Sequence, residues 1–222
     1  MLTAHTIGVF VHILLFVYWL GGDLGVFLLA LAAKRPDLSF AERMFALKMA
    51  TLIDFVPRIC FALMFPVGLF LAESGGWVDP PTWLVAAVWL VAAGWIAFLF
   101  ALGHAEGTPR AATLNRVHLG FQGVMFVVFG YIGIASLAGH GPFPEGWLGL
   151  KVLLFAGIFG AGIGIDYAFR PIVPAFVRLA TEGSKPDIEA AISRSVDGAI
   201  RYVLTLYALL VVIAFVGVTK PF

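Results

Sequence analysis

The fold class follows from FVHILLFVYWLGGDLGVFLLA (residues 10–30), an apolar run that contains one histidine and one aspartate. The run is as long as a helix that crosses the hydrocarbon core of a bilayer, which takes about 20 residues. A polar side chain in such a helix is costly to expose to lipid. We therefore expect His12 and Asp23 to face the interior of a helical bundle.

The composition is that of an integral membrane protein. Hydrophobic residues make up 61% of the 222 residues and charged residues 12%, and the mean hydropathy is +1.00. Apolar runs recur along the chain and predict an all-α membrane bundle with six transmembrane helices, forming a single membrane domain over residues 1–222. The predicted spans are residues 6–32, 50–72, 82–103, 114–138, 148–169 and 196–218.

The Lys and Arg residues are concentrated in alternate connections between the spans. The connections after spans one, three and five, with the adjoining span ends, carry 11 of the 14, whereas segments 73–81 and 139–146 carry none. Because basic residues near span ends accumulate on the cytoplasmic side, we expect both termini to lie outside the cytoplasm. The 11 residues are Lys34, Arg35, Arg43, Lys48, Arg110, Arg116, Arg170, Arg178, Lys185, Arg194 and Arg201.

Two connections carry signals for additional helical segments. SFAE (residues 39–42) has the spacing of a capping box and predicts a short interfacial helix before span two. SKPD (residues 184–187), with the apolar pattern that follows it, predicts an amphipathic lead into span six.

The cysteine count and the net charge exclude several kinds of function. The single cysteine, Cys60, lies in span two, so the chain has no intramolecular disulfide and no Cys-based iron–sulfur motif. Redox chemistry would therefore require a bound cofactor. A dedicated copper site is not indicated, because the five Met residues are scattered. The formal net charge of +1 argues against a nucleic-acid partner.

His12, Trp19 and Asp23 form a stripe along span one. At 100° per residue they fall within about 20° of one helical face, which should therefore point into the bundle. His12 is expected near the outer side of the membrane and Asp23 in the inner half.

Three segments place an Arg four residues after an Asp, which allows an ion pair along one helix. Asp23 and Arg58 are also expected at similar depth, so an interhelical pair between them is an alternative. For Asp23, Asp54 and Arg58, a proton relay, an anionic-ligand site and a packing role all remain open. The three spaced pairs are Asp54/Arg58, Asp166/Arg170 and Asp197/Arg201.

Two histidines lie inside predicted spans, His12 towards the outer side and His118 towards the cytoplasmic side. Their vertical separation is roughly 14 Å at 1.5 Å per residue, too large for both to bind one heme iron. Either one can instead be a hydrogen-bonded packing residue. Lys151 lies at about the depth of His12 and is a candidate second ligand, or a lysine that reaches to the outer interface.

Three segments resemble one family of membrane proteins. They are His12 with Trp19 and the pair Gly21 and Gly22, then GWLGLKVLL (residues 146–154), and finally VTKPF (residues 218–222). All three are similar to the small heme-linked bacterial protoporphyrinogen IX oxidases and related copper-resistance-D-like membrane proteins. The chain has more predicted spans than the short oxidases and lacks the histidine that follows their lysine.

This resemblance implies heme b and a multi-pass location in a bacterial-type inner membrane. By motif, the functional positions of the family carry over to His12 and Lys151. The first functional hypothesis is therefore a b-heme protein in electron transfer, or a membrane oxidoreductase, with His12 as the metal ligand. Trp19 would form part of the heme pocket and Arg58 would contact the propionates.

Two other functions remain open. One is a transporter or channel with a polar or proton path through the inward-facing side chains of the spans. The other is a non-catalytic membrane subunit whose polar residues hold helices together. The partners expected are the lipid bilayer, an electron donor or partner membrane subunit, and other copies of the chain in a homo-oligomer. The residues of the polar path would be Asp23, Asp54, Arg58, His118 and Gln122.

Overall fold

The computed structural model describes residues 3–105 and 107–222, and within these ranges the protein consists of α-helices and connecting loops. Six helical stretches, counting α5 and α6 as one, are long and apolar enough to span a membrane. The predicted all-α bundle of six such helices is thereby confirmed. The helices are α1 (Ala4–Ala33), α2 (Phe40–Ser74), α3 (Thr82–His104), α4 (Arg110–Leu137), α5 (Gly146–Phe169), α6 (Ile172–Glu182) and α7 (Pro186–Thr219).

Two helices begin well before the predicted spans. α2 begins at Phe40 and not at residue 50, and α7 begins at Pro186 and not at residue 196. The predicted capping box of Ser39 and Glu42 is confirmed at the start of α2. The separate interfacial helix predicted before span two is wrong, because the helix that starts there continues without a break into the span.

α6 is an amphipathic helix that the sequence analysis did not predict. It follows α5 after a break at Pro171, and its apolar face packs against the first part of α7. Most of the helix therefore lies along the end of the bundle, where it covers the apolar residues at the start of α7. The buried residues of this face are Ile172, Ala175, Phe176 and Leu179.

Both ends of the described chain lie at the same end of the bundle. His5 Nδ1 is 2.9 Å from Ser74 Oγ, and the backbone N–H of Trp147 donates to the carbonyl of Phe222 at 3.3 Å. We call this end, with loops 75–81 and 138–145, the terminal end. The opposite end, with loop 34–39 and α6, is called the basic end because it carries more of the Lys and Arg residues.

Arg43 joins four helices at the basic end. Its side chain is only 1% exposed, and its Nε donates to the carbonyl of Ala33 at the end of α1 at 2.8 Å. Two further bonds, at 2.9 and 3.0 Å, reach the carboxylate of Glu189 in α7. The guanidinium also lies over the ring of Phe176 in α6, 5.4 Å from its centroid. A buried cation with this many partners fixes the relative positions of α1, α2, α6 and α7.

Aromatic rings fill the middle of the bundle. Phe61 in α2 contacts the rings of Phe155 and Phe159 in α5, with centroids 5.3 and 4.5 Å apart. Phe65 and Phe129 extend this group towards α4, with their centroids 4.6 Å apart. We call these five side chains the aromatic layer. The contacts are edge-on or tilted, and the ring surfaces are apolar.

α4 and α5 approach each other most closely at Gly133. A Cβ atom at Gly133 would lie 2.6 Å from the backbone nitrogen of Leu153 and 2.7 Å from its Cα, which is closer than any side chain tolerates. At Gly130, one turn earlier, a Cβ would meet only Ala156 Cβ at 3.9 Å, an ordinary contact. The absence of a side chain at Gly133 thus sets the spacing of the two helices.

We expect Gly133→Ala to destabilise the protein by about 1–3 kcal/mol, because the added methyl group must push two backbones apart. The matched variant Gly130→Ala has room and should be neutral or stabilising by up to about 1 kcal/mol, the helix-propensity gain of alanine over glycine. Thermal unfolding of both variants in the same detergent measures the difference. Equal stabilities for the two variants would contradict this packing.

Candidate functional site

A polar cavity of about 320 Å³ lies in the half of the bundle nearer the basic end. All of the membrane-spanning helices contribute to its wall, and we call it the inner cavity. It brings together polar side chains that are far apart in the sequence and come from α1, α2, α4 and α5. These side chains are Asp23, Asp54, Arg58, His118, Gln122 and Asp166.

Arg58 forms an ion pair with Asp54 inside this cavity. Its Nε donates to Asp54 Oδ2 at 2.6 Å, one helical turn away along α2. The predicted spacing for a pair within one helix is thus confirmed here. The alternative interhelical pair between Asp23 and Arg58 is not formed, because Asp54 is held one turn away on the same helix and occupies the guanidinium.

Asp23 faces the same cavity without a compensating partner. Its Oδ2 atom is buried and makes no hydrogen bond within the described chain. Tyr207 of α7 lies beside the carboxylate within hydrogen-bonding reach, although the two groups do not meet the distance and angle of a formed hydrogen bond. A buried carboxylate and hydroxyl held this loosely leave capacity for a further hydrogen-bonding group.

A chain of polar contacts connects α3, α4 and α5 along the cavity wall. The indole N–H of Trp95 donates to His118 Nε2 at 3.2 Å. The amide of Gln122 lies 3.2 Å from His118 Nδ1 and 3.0 Å from Asp166 Oδ2. We call these four side chains the amide network. Both ring nitrogens of His118 are engaged in it, so His118 is not available as a metal ligand.

The other two spaced Asp–Arg pairs are not formed. Asp166 contacts Gln122, and Arg170 lies over the ring of Tyr167, 4.3 Å from its centroid. At the basic end, Lys34, which directly follows α1, donates to Asp197 of α7 at 2.5 Å. In both cases the Asp side chain contacts a residue from another part of the chain and not the Arg one turn away on its own helix.

Trp19 lies at the border of the inner cavity and is 3% exposed. Its ring packs on Phe61 with centroids 4.8 Å apart. Of the four residues predicted to bind a cofactor, Trp19 and Arg58 therefore line the inner cavity, whereas His12 and Lys151 are not part of its lining. The predicted cofactor residues divide into two groups.

His12 lies in the half of the bundle nearer the terminal end. Its Nδ1 atom is buried and makes no hydrogen bond within the described chain. The ring faces α2 at Gly68, where a Cβ would lie 3.5 Å from His12 Cε1. A ring nitrogen that is buried without a partner has the capacity to bind a proton, a hydrogen-bond donor or a metal.

Lys151 of α5 approaches the same region closely enough to interact electrostatically with His12. Its ammonium group lies 5.9 Å from the centroid of Trp147, and a Cβ at Gly217 would lie 2.8 Å from Nζ. No ion pair to Lys151 is found among residues 3–105 and 107–222. The fold thus places the two residues singled out by motif in the same half of the bundle, within electrostatic range of each other, and we call them the His12–Lys151 pair.

The aromatic layer separates this pair from the inner cavity. Along α2, Phe61 and Phe65 lie between Arg58 of the cavity and Gly68, which faces His12. Along α5, Phe155 lies between Lys151 and Ile158, a residue that lines the inner cavity. The bundle therefore has two polar regions, one on each side of an apolar middle.

A second cavity, of about 470 Å³, opens between α2, α3, α4 and α5. Aliphatic and aromatic side chains line it almost completely, and Asp79 is the one charged residue among those lining it. Met125 is its one residue of a type that ligates heme iron. Within the described residues, no group of three or more His, Cys, Asp and Glu side chains is arranged to hold a metal ion.

Sequence reasoning missed three members of these sites. It did not single out Trp95 or Tyr207, and it treated Asp166 only as half of a pair along its helix. Trp95 and Tyr207 are aromatic residues in spans rich in aromatic residues, so no pattern distinguishes them. For Asp166 the signal was its depth, because a carboxylate three residues before the end of α5 is expensive to bury alone.

We expect Asp54→Asn to destabilise the protein, because it leaves the Arg58 guanidinium without its ion pair. The loss should be about 1–3 kcal/mol, below the 3–5 kcal/mol of a fully buried pair, because the cavity leaves both side chains partly accessible. The double variant Asp54→Asn, Arg58→Gln removes both charges and should recover part of this loss. Chemical unfolding in detergent measures the stabilities of the wild-type protein, the single variant and the double variant.

The double variant is the control that isolates the charge. If it is no more stable than Asp54→Asn alone, the ion pair does not hold this part of the cavity wall together. Asp37→Asn, in the exposed loop where Asp37 pairs with Arg35, should change stability by less than about 1 kcal/mol.

Comparisons with known proteins supply no further identification of these sites. No protein-family model, no curated protein and no solved structure matches the chain. The resemblance to the heme-linked oxidases therefore rests on three short segments, residues 12–22, 146–154 and 218–222. The function has to be argued from the contacts described above.

Proposed function

We propose that the protein is an integral membrane b-type heme protein of redox or electron-transfer function, with His12 as an axial ligand of the iron. The observation that carries this proposal is the buried His12 Nδ1 without a hydrogen-bond partner, in a ring that shares the terminal half of the bundle with Lys151. Imidazole nitrogen is the commonest protein ligand of heme iron. The resemblance in residues 12–22 and 146–154 points to the same two residues.

The chemistry of these residues fits such a group. His12 offers a nitrogen donor that no other side chain occupies, and its ring packs against the bare backbone of Gly68, where a Cβ would lie 3.5 Å from Cε1. Lys151 offers a second nitrogen donor that no carboxylate of the described chain pairs with. Heme bound here would supply one-electron redox chemistry in the outer half of the bundle. Both side chains are half-buried, which would limit the access of water to the iron ligands.

Arg58 and Trp19 take a different role in this proposal from the one expected at first. Arg58 is already paired with Asp54, and Trp19 packs on Phe61 at the inner cavity. Neither supports a contact with a group held at His12. Residues of the inner cavity would instead handle protons, with Asp23 as the carboxylate that has no partner.

The setting of the proposed heme protein is a bacterial-type inner membrane. The basic end would face the cytoplasm, in keeping with the rule that Lys and Arg near span ends stay on that side, and both termini would lie outside. An electron donor or a partner membrane subunit would supply electrons, and a homo-oligomer is compatible with the exposed apolar surfaces of the helices.

We expect His12→Ala to lose heme while it keeps its fold. The wild-type protein, purified in detergent and incubated with hemin, should show sharp b-type bands in a reduced-minus-oxidised absorption spectrum. The matched control is His5→Ala, because His5 lies two turns earlier on α1 and bonds only to Ser74 at the surface. That variant should keep the wild-type amount of heme per chain.

Heme content per chain, with elution volume and helical circular dichroism as folding checks, distinguishes the outcomes. If His12→Ala keeps the full heme content, His12 is not an axial ligand of the iron. A wild-type protein that stays colourless after incubation with hemin would remove the proposal altogether.

A second candidate function is a path for protons or a small polar solute, and the inner cavity favours it. Three carboxylates and one guanidinium line this cavity, so its charges are not balanced within the lining. In a membrane bundle, ionisable groups in such a place commonly mark an ion or proton path.

We expect the wild-type protein, if it has this function, to dissipate a pH gradient across liposomes faster than protein-free vesicles do. Asp23→Asn should slow the flux, because Asp23 is the carboxylate without a partner, whereas the exposed-loop variant Asp37→Asn should leave it unchanged. A pH-sensitive dye inside the vesicles reports the flux. A rate equal to that of empty liposomes would rule out a proton path.

A further inference from the structure

The amide network constrains where its hydrogen atoms lie, because its members can donate or accept hydrogen bonds only in certain combinations. Trp95, His118 and Gln122 are 9%, 5% and 4% exposed, so water does not replace their bonds to one another. A consistent set of protons must therefore exist within the network itself. The positions of these protons can be deduced by following the network from Trp95 to Asp166.

Trp95 fixes the first position. An indole nitrogen carries a hydrogen and accepts no hydrogen bond, so the contact of 3.2 Å requires a lone pair on His118 Nε2. The imidazole is therefore not doubly protonated. In a neutral ring whose Nε2 accepts, the hydrogen is on Nδ1, and that atom is a donor.

Gln122 fixes the second position. The structure has the amide nitrogen Nε2 of Gln122 at 3.2 Å from His118 Nδ1, which sets two donors against each other. An acceptor is needed at this position, so we infer that the amide is turned and presents its carbonyl oxygen to Nδ1. The amide has two orientations of nearly equal shape, and only this one gives the Nδ1 hydrogen an acceptor. The opposite orientation would place two buried donors against each other.

Asp166 is the last member of the network. In the orientation of the structure, Gln122 Nε2 donates to Asp166 Oδ2 at 3.0 Å. Turning the amide replaces this nitrogen by the amide oxygen. With an amide oxygen at that place, two oxygens face each other at hydrogen-bond distance, and a hydrogen must lie between them. A carboxylate brings no hydrogen, whereas a protonated carboxyl group does.

We propose that Asp166 is a proton-binding site, a neutral carboxylic acid that donates a hydrogen bond to the side-chain oxygen of Gln122. This site is distinct from the His12–Lys151 pair and does not depend on heme. Its proton is held by the bond sequence from Trp95 through His118 and Gln122. Release of the proton would require the Gln122 amide to turn and the His118 hydrogen to move to the other nitrogen, which breaks the bond from Trp95.

The charged groups around Asp166 oppose one another. From α2, Arg58 attracts a negative charge at Asp166, but Arg58 is paired with Asp54, which repels that charge. Arg170 of α5 lies over a tyrosine ring, and Asp23 of α1 faces the same cavity. From α4 the facing groups are His118 and Gln122. α7 faces the cavity with apolar side chains, which are Val196, Ala199, Ile200, Val203 and Leu206.

Infrared spectroscopy tests this site directly. The protein in lipid nanodiscs at neutral pH should show the C=O stretching band of a protonated carboxyl group, shifted in D₂O. Asp166→Asn should lose one such band, because its side-chain NH₂ replaces the donor without a titratable proton. The matched variant Asp37→Asn, which removes a carboxylate in an exposed loop away from the cavity, should keep the band. No protonated-carboxyl band in the wild-type minus Asp166→Asn difference would overturn the proposal.

A second measurement keeps the test independent of the folding of Asp166→Asn. Nitrogen NMR of wild-type protein with ¹⁵N-labelled histidine reports which ring nitrogen carries the hydrogen, and comparison with His118→Asn identifies the signal. We expect a neutral ring with the hydrogen on Nδ1 of His118. A hydrogen on Nε2, or on both nitrogens, would contradict the chain of reasoning at its first step.

Discussion

Because the hydrocarbon core of a bilayer offers no hydrogen-bond partners, each polar side chain of the long helices needs a partner inside the protein. Most of them have one. Arg58 is paired with Asp54, and Arg43 bonds to two helices at the basic end. The amide network satisfies His118 and Gln122 in the same way. This constraint directs the polar faces of the helices inward, and the small side chains at the helix contacts let them approach.

The exceptions to this rule identify where the molecule has room for chemistry. His12 has a buried nitrogen without a hydrogen bond in the terminal half, and Asp23 has such an oxygen in the inner cavity, with the Tyr207 hydroxyl beside it. The aromatic layer lies between these places. A cofactor at His12 and a proton store in the inner cavity would thus be kept apart by apolar rings, and each can be disrupted without altering the other.

The sequence predicted the fold class well, because a membrane span requires only sufficient length and apolar composition, and both are read directly from consecutive residues. It also predicted which residues face inward. It predicted the wrong partners where these come from elsewhere in the chain. Asp166 contacts Gln122 and Asp197 contacts Lys34, and neither pairs with the arginine one turn away. The amide network depends on the packing of α3, α4 and α5, and no spacing along the chain encodes which helices become neighbours.

The most direct test of this account is a cryo-electron-microscopy map of the protein in nanodiscs after incubation with hemin. The account predicts flat density for a porphyrin in the terminal half of the bundle, connected to the His12 ring, with no porphyrin density in the inner cavity. Porphyrin density in the inner cavity, or in the apolar cavity beside Met125, would contradict the proposed separation of the two sites. A map without any porphyrin density would contradict the heme assignment itself.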